Sequence, residues 1–343
     1  MQQTTVNPAA DADHRRNAIA NWLLAVTGAA PLSLDIGGSD ASVRRYWRAC
    51  YAQRKLMVMD ADPAGFDATP FLARQAELAA AGVRVPAVLA HDAALGLTLL
   101  EDLGSQELAP LLIDEASAKA WYLQAIDNLV ALQSTLAHAH LPVFDAAFQR
   151  REMEIGREWY LGVHLGQALN DKQLAVWERS LALIIARNVA QPRVFMHRDY
   201  HSRNLMVVEG KLALLDFQDA VSGPISYDLV SLLRDAYVSW DEGFVLDLAI
   251  RYWEQARAAG LPVHEDFSEF YAAFEWQGLQ RHLKVLGLFA RLKHRDGKER
   301  YLADIPRVFG YVRGVCQRYS ELTPLGRLLL DARGEKAEVG YTF

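Results

Sequence analysis

Apolar residues Ile19, Trp22, Leu23 and Val26 recur at steps of three and four between Arg15 and Val26, the spacing of an amphipathic helix. Leu32 to Ile36 then reads as a strand that stops at Gly37-Gly38. Two more strand-like runs follow, Val43 to Tyr51 and Lys55 to Met59, separated by the polar Ala52-Gln53-Arg54. A helix is expected over Pro70 to Ala81. Beyond it, Val88 to His91 and Leu97 to Leu100 face each other across a turn at Asp92 to Gly96. Five strands with one inserted helix make a small antiparallel sheet unit that ends near Glu101-Asp102-Leu103-Gly104.

After Gly104 the pattern turns to long helical periodicity. Asp114 caps a helix that runs to about Ala137, with Trp121, Ile126, Leu129, Val130 and Leu132 on its inner side, and a second spans roughly Asp171 to Asn188. Further helices are expected over Asp228 to Tyr237, Glu242 to Ala259, Glu265 to Lys293, Ile305 to Tyr319 and Leu325 to Ala332. One hairpin interrupts them: Val207-Val208 and Leu212 to Leu215 flank Glu209-Gly210-Lys211, and the rest reads as nearly all helix. The whole is an α+β chain, with a β-rich lobe over residues 1–101, a helical lobe over 102–343 and a cleft expected between them.

Composition narrows the partners. The 343 residues are 51% hydrophobic and 23% charged, as suits a globular chain of two lobes. Lys and Arg number 36 against 42 Asp and Glu, a net charge of −6 without a long basic run, which argues against a nucleic-acid or anionic-membrane surface. Cys50 and Cys316 lie far apart without CxxC spacing, so neither a disulfide framework nor a thiolate metal site is expected. The start, MQQTTVNPAADADHRR, lacks an apolar core, and no later apolar run approaches the roughly 18 residues that span a bilayer. A soluble, cytoplasmic protein with small-molecule ligands and no obligate protein partner is the expectation.

Chemistry concentrates between His197 and Asp219. A hairpin brings its outer ends together, so Asn204, entering the first strand, and Asp216, leaving the second, are expected to be neighbours, with Asp199 in the same loop. One carboxylate able to take a proton, beside an amide and a second carboxylate able to share magnesium, is the equipment of a phosphoryl transferase. A second reading stays open: His197, Asp199 and His201 alternate, and on a strand they would share one face as ligands of a metal-dependent hydrolase.

The segment His197 to Met206 resembles the catalytic loop of the aminoglycoside phosphotransferase-like kinases, relatives of protein kinases, and Asp216-Phe217-Gln218 stands where those kinases carry their metal-binding Asp. More closely, GGSDASVRRYWR, MDAD, LLEDLG, DFQDAVSGPISYDLVSLLRDAYVSW and LQRHLKVLGLFARL resemble the bacterial anomeric N-acetylmuramate/N-acetylglucosamine kinases, which phosphorylate the C1 hydroxyl of the free amino sugar in cell-wall recycling. The resemblance implies a protein kinase-like two-lobe fold with ATP and Mg2+ as cofactors. It implies Asp199 as general base, Asn204 and Asp216 as metal ligands, and His197 as a scaffold. Gly38, Ser39, Ser42 and Arg44 fall in the place of the phosphate-covering loop, where backbone N–H groups and short donors meet phosphate oxygens. Glu101 and Leu103 fall in the hinge whose backbone meets the adenine.

Two departures stand out. The loop is not GxGxxG, and the third strand has Met59 or Asp60 where kinases carry a phosphate-pairing Lys, which leaves Arg44, Arg45 or Lys55 as substitutes and Glu77 without its usual partner. For the sugar, Asp219, Arg234, Asp235 and Trp240 follow the hairpin, while Gln277, Arg281 and Lys284 share one face of the long helix. Arg281 or Lys284 would meet the lactyl carboxylate of N-acetylmuramate; a solvated helix stripe is the competing account. Asp228 reads as a helix cap that steadies the catalytic loop. An aminoglycoside or other small-alcohol phosphotransferase of the same fold, and a non-catalytic nucleotide-binding relative, remain as alternatives.

Overall fold

The computed structural model describes residues 8–37 and 44–335, with side chains from residue 13 onward. It divides into two compact units: the chain up to Ser105 together with Ala213–Gln218, and Gln106–Leu212 together with the chain from Asp219. Among the described residues no helix is long and apolar enough to cross a membrane.

In the first unit, helix α1 (Pro8–Thr27) precedes strands β1 (Ser33–Ile36), β2 (Arg45–Cys50) and β3 (Lys55–Asp60), helix α2 (Thr69–Ala80), and strands β4 (Val88–Asp92) and β5 (Leu97–Glu101). The sheet is antiparallel in the order β1-β2-β3-β5-β4, so the meander and the hairpin meet where β3 pairs with β5, Val58 opposite Leu99. Alternation gives this sheet two different faces. Trp47, Ala49, Leu56, Val58, Leu97 and Leu99 pack against Ile19, Trp22 and Leu23 of α1. Met57 and Met59 point the other way. α1 begins a full two turns earlier than the apolar spacing indicates, because Pro8 fits a helix's first turn and the following Ala and Asp residues add no apolar stripe.

The second unit contains helices α3 (Glu115–Thr135), α4 (Ala146–Ile155), α5 (Asp171–Val189), α6 (Tyr227–Leu233), α7 (Glu242–Ala258), α8 (Phe267–His294), α9 (Ile305–Arg318) and α10 (Thr323–Ala332). Asp114 caps α3 as expected, accepting from Ser117 N–H at 2.8 Å. α8, 28 residues long, is the central rod, and its Trp276, Leu279, Leu283, Leu286 and Phe289 lie in the core. α4 runs on as a π-helical stretch, Gly156–His164. Here two backbones touch: a Cβ on Gly287 would sit 2.2 Å from the Ile155 carbonyl oxygen, and one on Gly156 would sit 2.5 Å from that of Leu283. Only glycine permits this approach, and it fixes α4 against α8.

Four short strands complete the chain: β6 (Arg193–Met196), β7 (Leu205–Val208), β8 (Lys211–Leu214) and β9 (Val221–Pro224). β7 and β8 form the expected hairpin, turning at Glu209 and Gly210, whose φ of 51° and 77° are both left-handed, as a two-residue turn requires. The β6–β9 pair, with Met196 opposite Val221, is an addition to the expectation that, apart from the hairpin, the rest is nearly all helix. These strands are four residues long and almost wholly buried, so they carry no alternation to read. α4 and its π-helical extension are likewise additions.

Candidate active site

The candidate catalytic loop leaves β6 at His197 and is fastened within the second unit. The carboxylate of Asp228, in the first turn of α6, accepts the backbone N–H of His197 at 2.7 Å and of Arg198 at 3.0 Å. Asp228 therefore sits inside the helix rather than capping it, and Ser226 occupies the cap position. Arg198 is held at a left-handed φ of 79°. The Asp199 N–H donates to His197 Nδ1 at 3.2 Å, so this imidazole nitrogen is an acceptor and His197 is a scaffold. Ser202 donates from its backbone N–H (3.0 Å) and its hydroxyl (2.5 Å) to Asp235, and the Tyr200 hydroxyl donates to the Ala125 carbonyl at 2.8 Å.

This geometry removes the metal-hydrolase reading. Residues 197–201 form a loop, not a strand, His197 Nδ1 is already occupied, and His201 packs its ring edge-on to Tyr237. Among the described residues no group of three His, Cys, Asp or Glu side chains is placed to hold a metal.

Burial of Asp199 would by itself raise its pKa, but the positive field of Lys284, then of His201, Arg281 and Arg198, outweighs it and holds the carboxyl well below the usual range. Asn204 donates through Nδ2 to the Asp199 carbonyl at 3.0 Å, which leaves its Oδ1 as the atom for a hard cation.

The other half of the motif belongs to the first unit. Phe217 stacks on Phe71 of α2 with ring centroids 5.1 Å apart, and Leu214 N–H donates to the Arg84 carbonyl at 2.8 Å. Between these anchors Asp216 adopts a left-handed φ of 60° and accepts from Gln218 Nε2 at 2.8 Å and Arg44 Nη2 at 3.1 Å. The carboxylate is still 40% exposed. A carboxylate with this exposure is the kind of oxygen ligand that suits magnesium, which keeps several waters.

The three candidate cations separate clearly. Asp60 faces α1 and is neutralised there, accepting from the Trp47 indole at 3.1 Å and lying 2.7 Å from Arg15 and 3.5 Å from Arg45. Lys55 is exposed at the start of β3. Of the three, Arg44 is the one paired with Asp216, its guanidinium also lying 5.7 Å from the Phe66 ring. Met59 supplies no charge on the opposite face. Glu77 pairs with Arg74 of its own helix at 2.7 Å.

The stretch expected as the hinge is braced by ion pairs within the first unit: Glu101 takes Arg84, and Asp102 takes Arg48 at 2.6 Å, while Arg48 also reaches the Gly104 carbonyl at 2.9 Å. The Glu101 N–H is used by the Ala87 carbonyl, and Leu103 is buried. Gly38, Ser39 and Ser42 lie outside the described residues.

The sugar candidates sort into two groups. Arg234 is buried between Glu275 (3.1 Å) and Glu242 (3.0 Å), and Trp240 donates to the Tyr122 hydroxyl at 2.7 Å beside Phe244. Both hold the helices together, and Asp235 is occupied by Ser202. Asp219 is exposed at the loop's exit, its carbonyl accepting from Arg198 at 3.4 Å. Arg281 is only 3% exposed, with one guanidinium nitrogen lacking a partner, and it bears on Asp199. Lys284 lies 3.0 Å from Glu152 of α4. Glu152 lies in no sequence motif, and the signal for its helix is Asp145, which caps α4 by accepting from Phe148 N–H.

Residues 36–263 match the phosphotransferase enzyme family. The chain belongs to this family. The phosphotransferase is 46% identical over 334 residues, 96% of its length and 99% of the relative's, to the N-acetylmuramate/N-acetylglucosamine kinase of Neisseria meningitidis serogroup B. It is 46% identical to the kinase of the same name from Pseudomonas putida, covering 87% of this chain and 88% of that one. Against the one from Caulobacter vibrioides the identity is 31%, with 88% and 92% covered. Among solved structures, choline kinase LicA from Streptococcus pneumoniae superposes with a TM-score of 0.62 at 13% identity, over 88% of this chain and 99% of that one. An ADP-bound aminoglycoside phosphotransferase gives 0.57 at 14%, over 87% and 97%. The fold of this phosphotransferase is therefore kinase-like, with the antiparallel sheet in its N-terminal region and the helices in its C-terminal region.

Proposed function

We propose that this phosphotransferase moves the γ-phosphoryl group of ATP to the anomeric hydroxyl of N-acetylmuramate or N-acetylglucosamine. The observation that carries the reading is Asp199, kept ionised in a loop whose backbone is fastened by Asp228, Asp235 and Asn204. The sugar follows from the names of the relatives with 46% identity. In the transfer, the C1 oxygen bonds to the γ-phosphorus, the bond to the β,γ-bridging oxygen breaks, ADP leaves, and the hydroxyl proton passes to the Asp199 carboxylate. A carboxylate this weakly basic orients the hydroxyl from the outset and takes the proton late, which suits a loose phosphoryl transition state. Magnesium, held by Asn204 and Asp216, would neutralise the triphosphate.

Residues 1–101 would carry the nucleotide, through the Gly38, Ser39, Ser42 and Arg44 loop and the backbone at Glu101 and Leu103, and 102–343 the sugar. Arg281 is the better partner for a lactyl carboxylate, since Lys284 already has Glu152. Asp219 is the remaining exposed polar candidate. Unbonded Cys50 and Cys316 suit a cytoplasmic enzyme.

ADP release measured with N-acetylmuramate, N-acetylglucosamine and an aminoglycoside tests the reading. Turnover with either amino sugar is expected. Turnover with the aminoglycoside alone would replace it with the drug-modifying activity, and ATP binding without any turnover would favour a non-catalytic relative.

A further inference from the structure

Glu152 carries more than a structural ion pair would need. Its carboxylate, 5% exposed, lies 2.8 Å from Arg198 Nη2 and 3.0 Å from Lys284 Nζ, and it accepts from Gln280 Nε2 at 3.1 Å. Arg198 precedes the proposed base in sequence, and Lys284 projects from α8 with a side chain only 12% exposed. Both cations also act on Asp199. The charge of both cations thus acts on Glu152, which they contact, and more weakly on Asp199.

The fold is built to place this residue. The mutual approach of Gly287 and Gly156 sets α4 on α8, so that Glu152 faces Lys284 and Gln280. The left-handed backbone at Arg198 sends its guanidinium to α4, where it also lies 5.1 Å from the Phe148 ring. Two buried cations need carboxylate partners. With Glu152 neutral, Asp199 would be the remaining carboxylate that acts most strongly on both.

We infer that Glu152 is a positioning residue: it draws Lys284 and Arg198 away from Asp199, so that a carboxylate oxygen of the base stays open to the sugar hydroxyl. This rests on the reading of Asp199 as base. It assigns α4 a part in turnover, not in binding.

The test is a double-mutant cycle in kcat with N-acetylglucosamine, which has no carboxylate of its own for Lys284 to meet. Glu152→Gln is expected to lower kcat about tenfold or more while the KM values for ATP and sugar stay within about threefold. Adding Lys284→Met to Glu152→Gln is expected to raise kcat again, because the cation left competing for Asp199 is gone. Glu152→Asp, which keeps the charge on a shorter stem, should fall between wild type and Glu152→Gln; it replaces the latter in the cycle if Glu152→Gln does not fold. A double variant equal to or slower than the Glu152 single variant would overturn the inference, as would a loss confined to KM. Asp199→Asn is measured alongside: its retained turnover would overturn the base assignment itself, whatever the cycle gives.

Discussion

The guanidinium of Arg44 lies 3.1 Å from Oδ1 of Asp216, within one compact unit of the chain. This pair puts a cation beside the proposed metal-binding carboxylate in a chain whose third strand carries Met59 where a phosphate-pairing Lys is expected. A charge-assisted bond of this kind to a phosphate oxygen contributes roughly 1.5–3 kcal/mol. Arg44→Ala should therefore raise the KM for ATP by about tenfold or more, leave the sugar KM unchanged, and be partly offset in Arg44→Lys. An unchanged ATP KM would assign the phosphates to another group.

The contact of Gly287 with the Ile155 carbonyl makes a stability prediction. Gly287→Ala would place a methyl group 2.2 Å from backbone, which cannot rotate away. The cost should be at least about 1–3 kcal/mol in denaturant unfolding. Gly314→Ala in α9 meets nothing within 4 Å and should instead stabilise, by up to about 1 kcal/mol. Equal effects at the two positions would contradict the close approach of α4 and α8.

Asp228 predicts a pH dependence. Burial raises its pKa to about 7, although the His197 and Arg198 N–H groups favour the charged form. Below roughly pH 4 its carboxyl is protonated in folded and unfolded chains alike. Between there and about 7 only the folded chain keeps the proton, so rising pH removes stability through this group, and above about 7 the loss is complete. The Tm advantage of wild type over Asp228→Asn should thus shrink across that window. A difference that stays constant with pH would mean that Asp228 is ionised in the fold throughout.

What was legible in the sequence is what periodicity marks. The five strands of the first sheet, the capped α3 and the long α8 all show their stripes, and the β7–β8 hairpin announces its turn at Glu209-Gly210. β6 and β9 were hidden because buried four-residue strands such as Val221–Pro224 have no polar face. α6 stops at Leu233, four residues short of its expected end, where Asp235 turns the chain by accepting from Tyr237 N–H and Ser202.

Within the proposed site, the spacing of Asp199, Asn204 and Asp216 singled out the candidate residues. The fate of the surrounding charges was not legible, because each depends on a partner distant in sequence: Arg234 on Glu275, Trp240 on Tyr122, Lys284 on Glu152. A basic stripe on α8 reads as solvated until α4 is known to cover it.

Asp199 is proposed to orient and deprotonate the sugar hydroxyl, and Asp199→Asn probes that role, with kcat and ATP affinity measured on the same preparation. The amide keeps the size of the side chain and loses the proton acceptor. We predict that kcat with N-acetylmuramate or N-acetylglucosamine falls by roughly 10²–10⁴-fold while ATP binds with nearly unchanged affinity. Turnover close to that of wild type would contradict the claim.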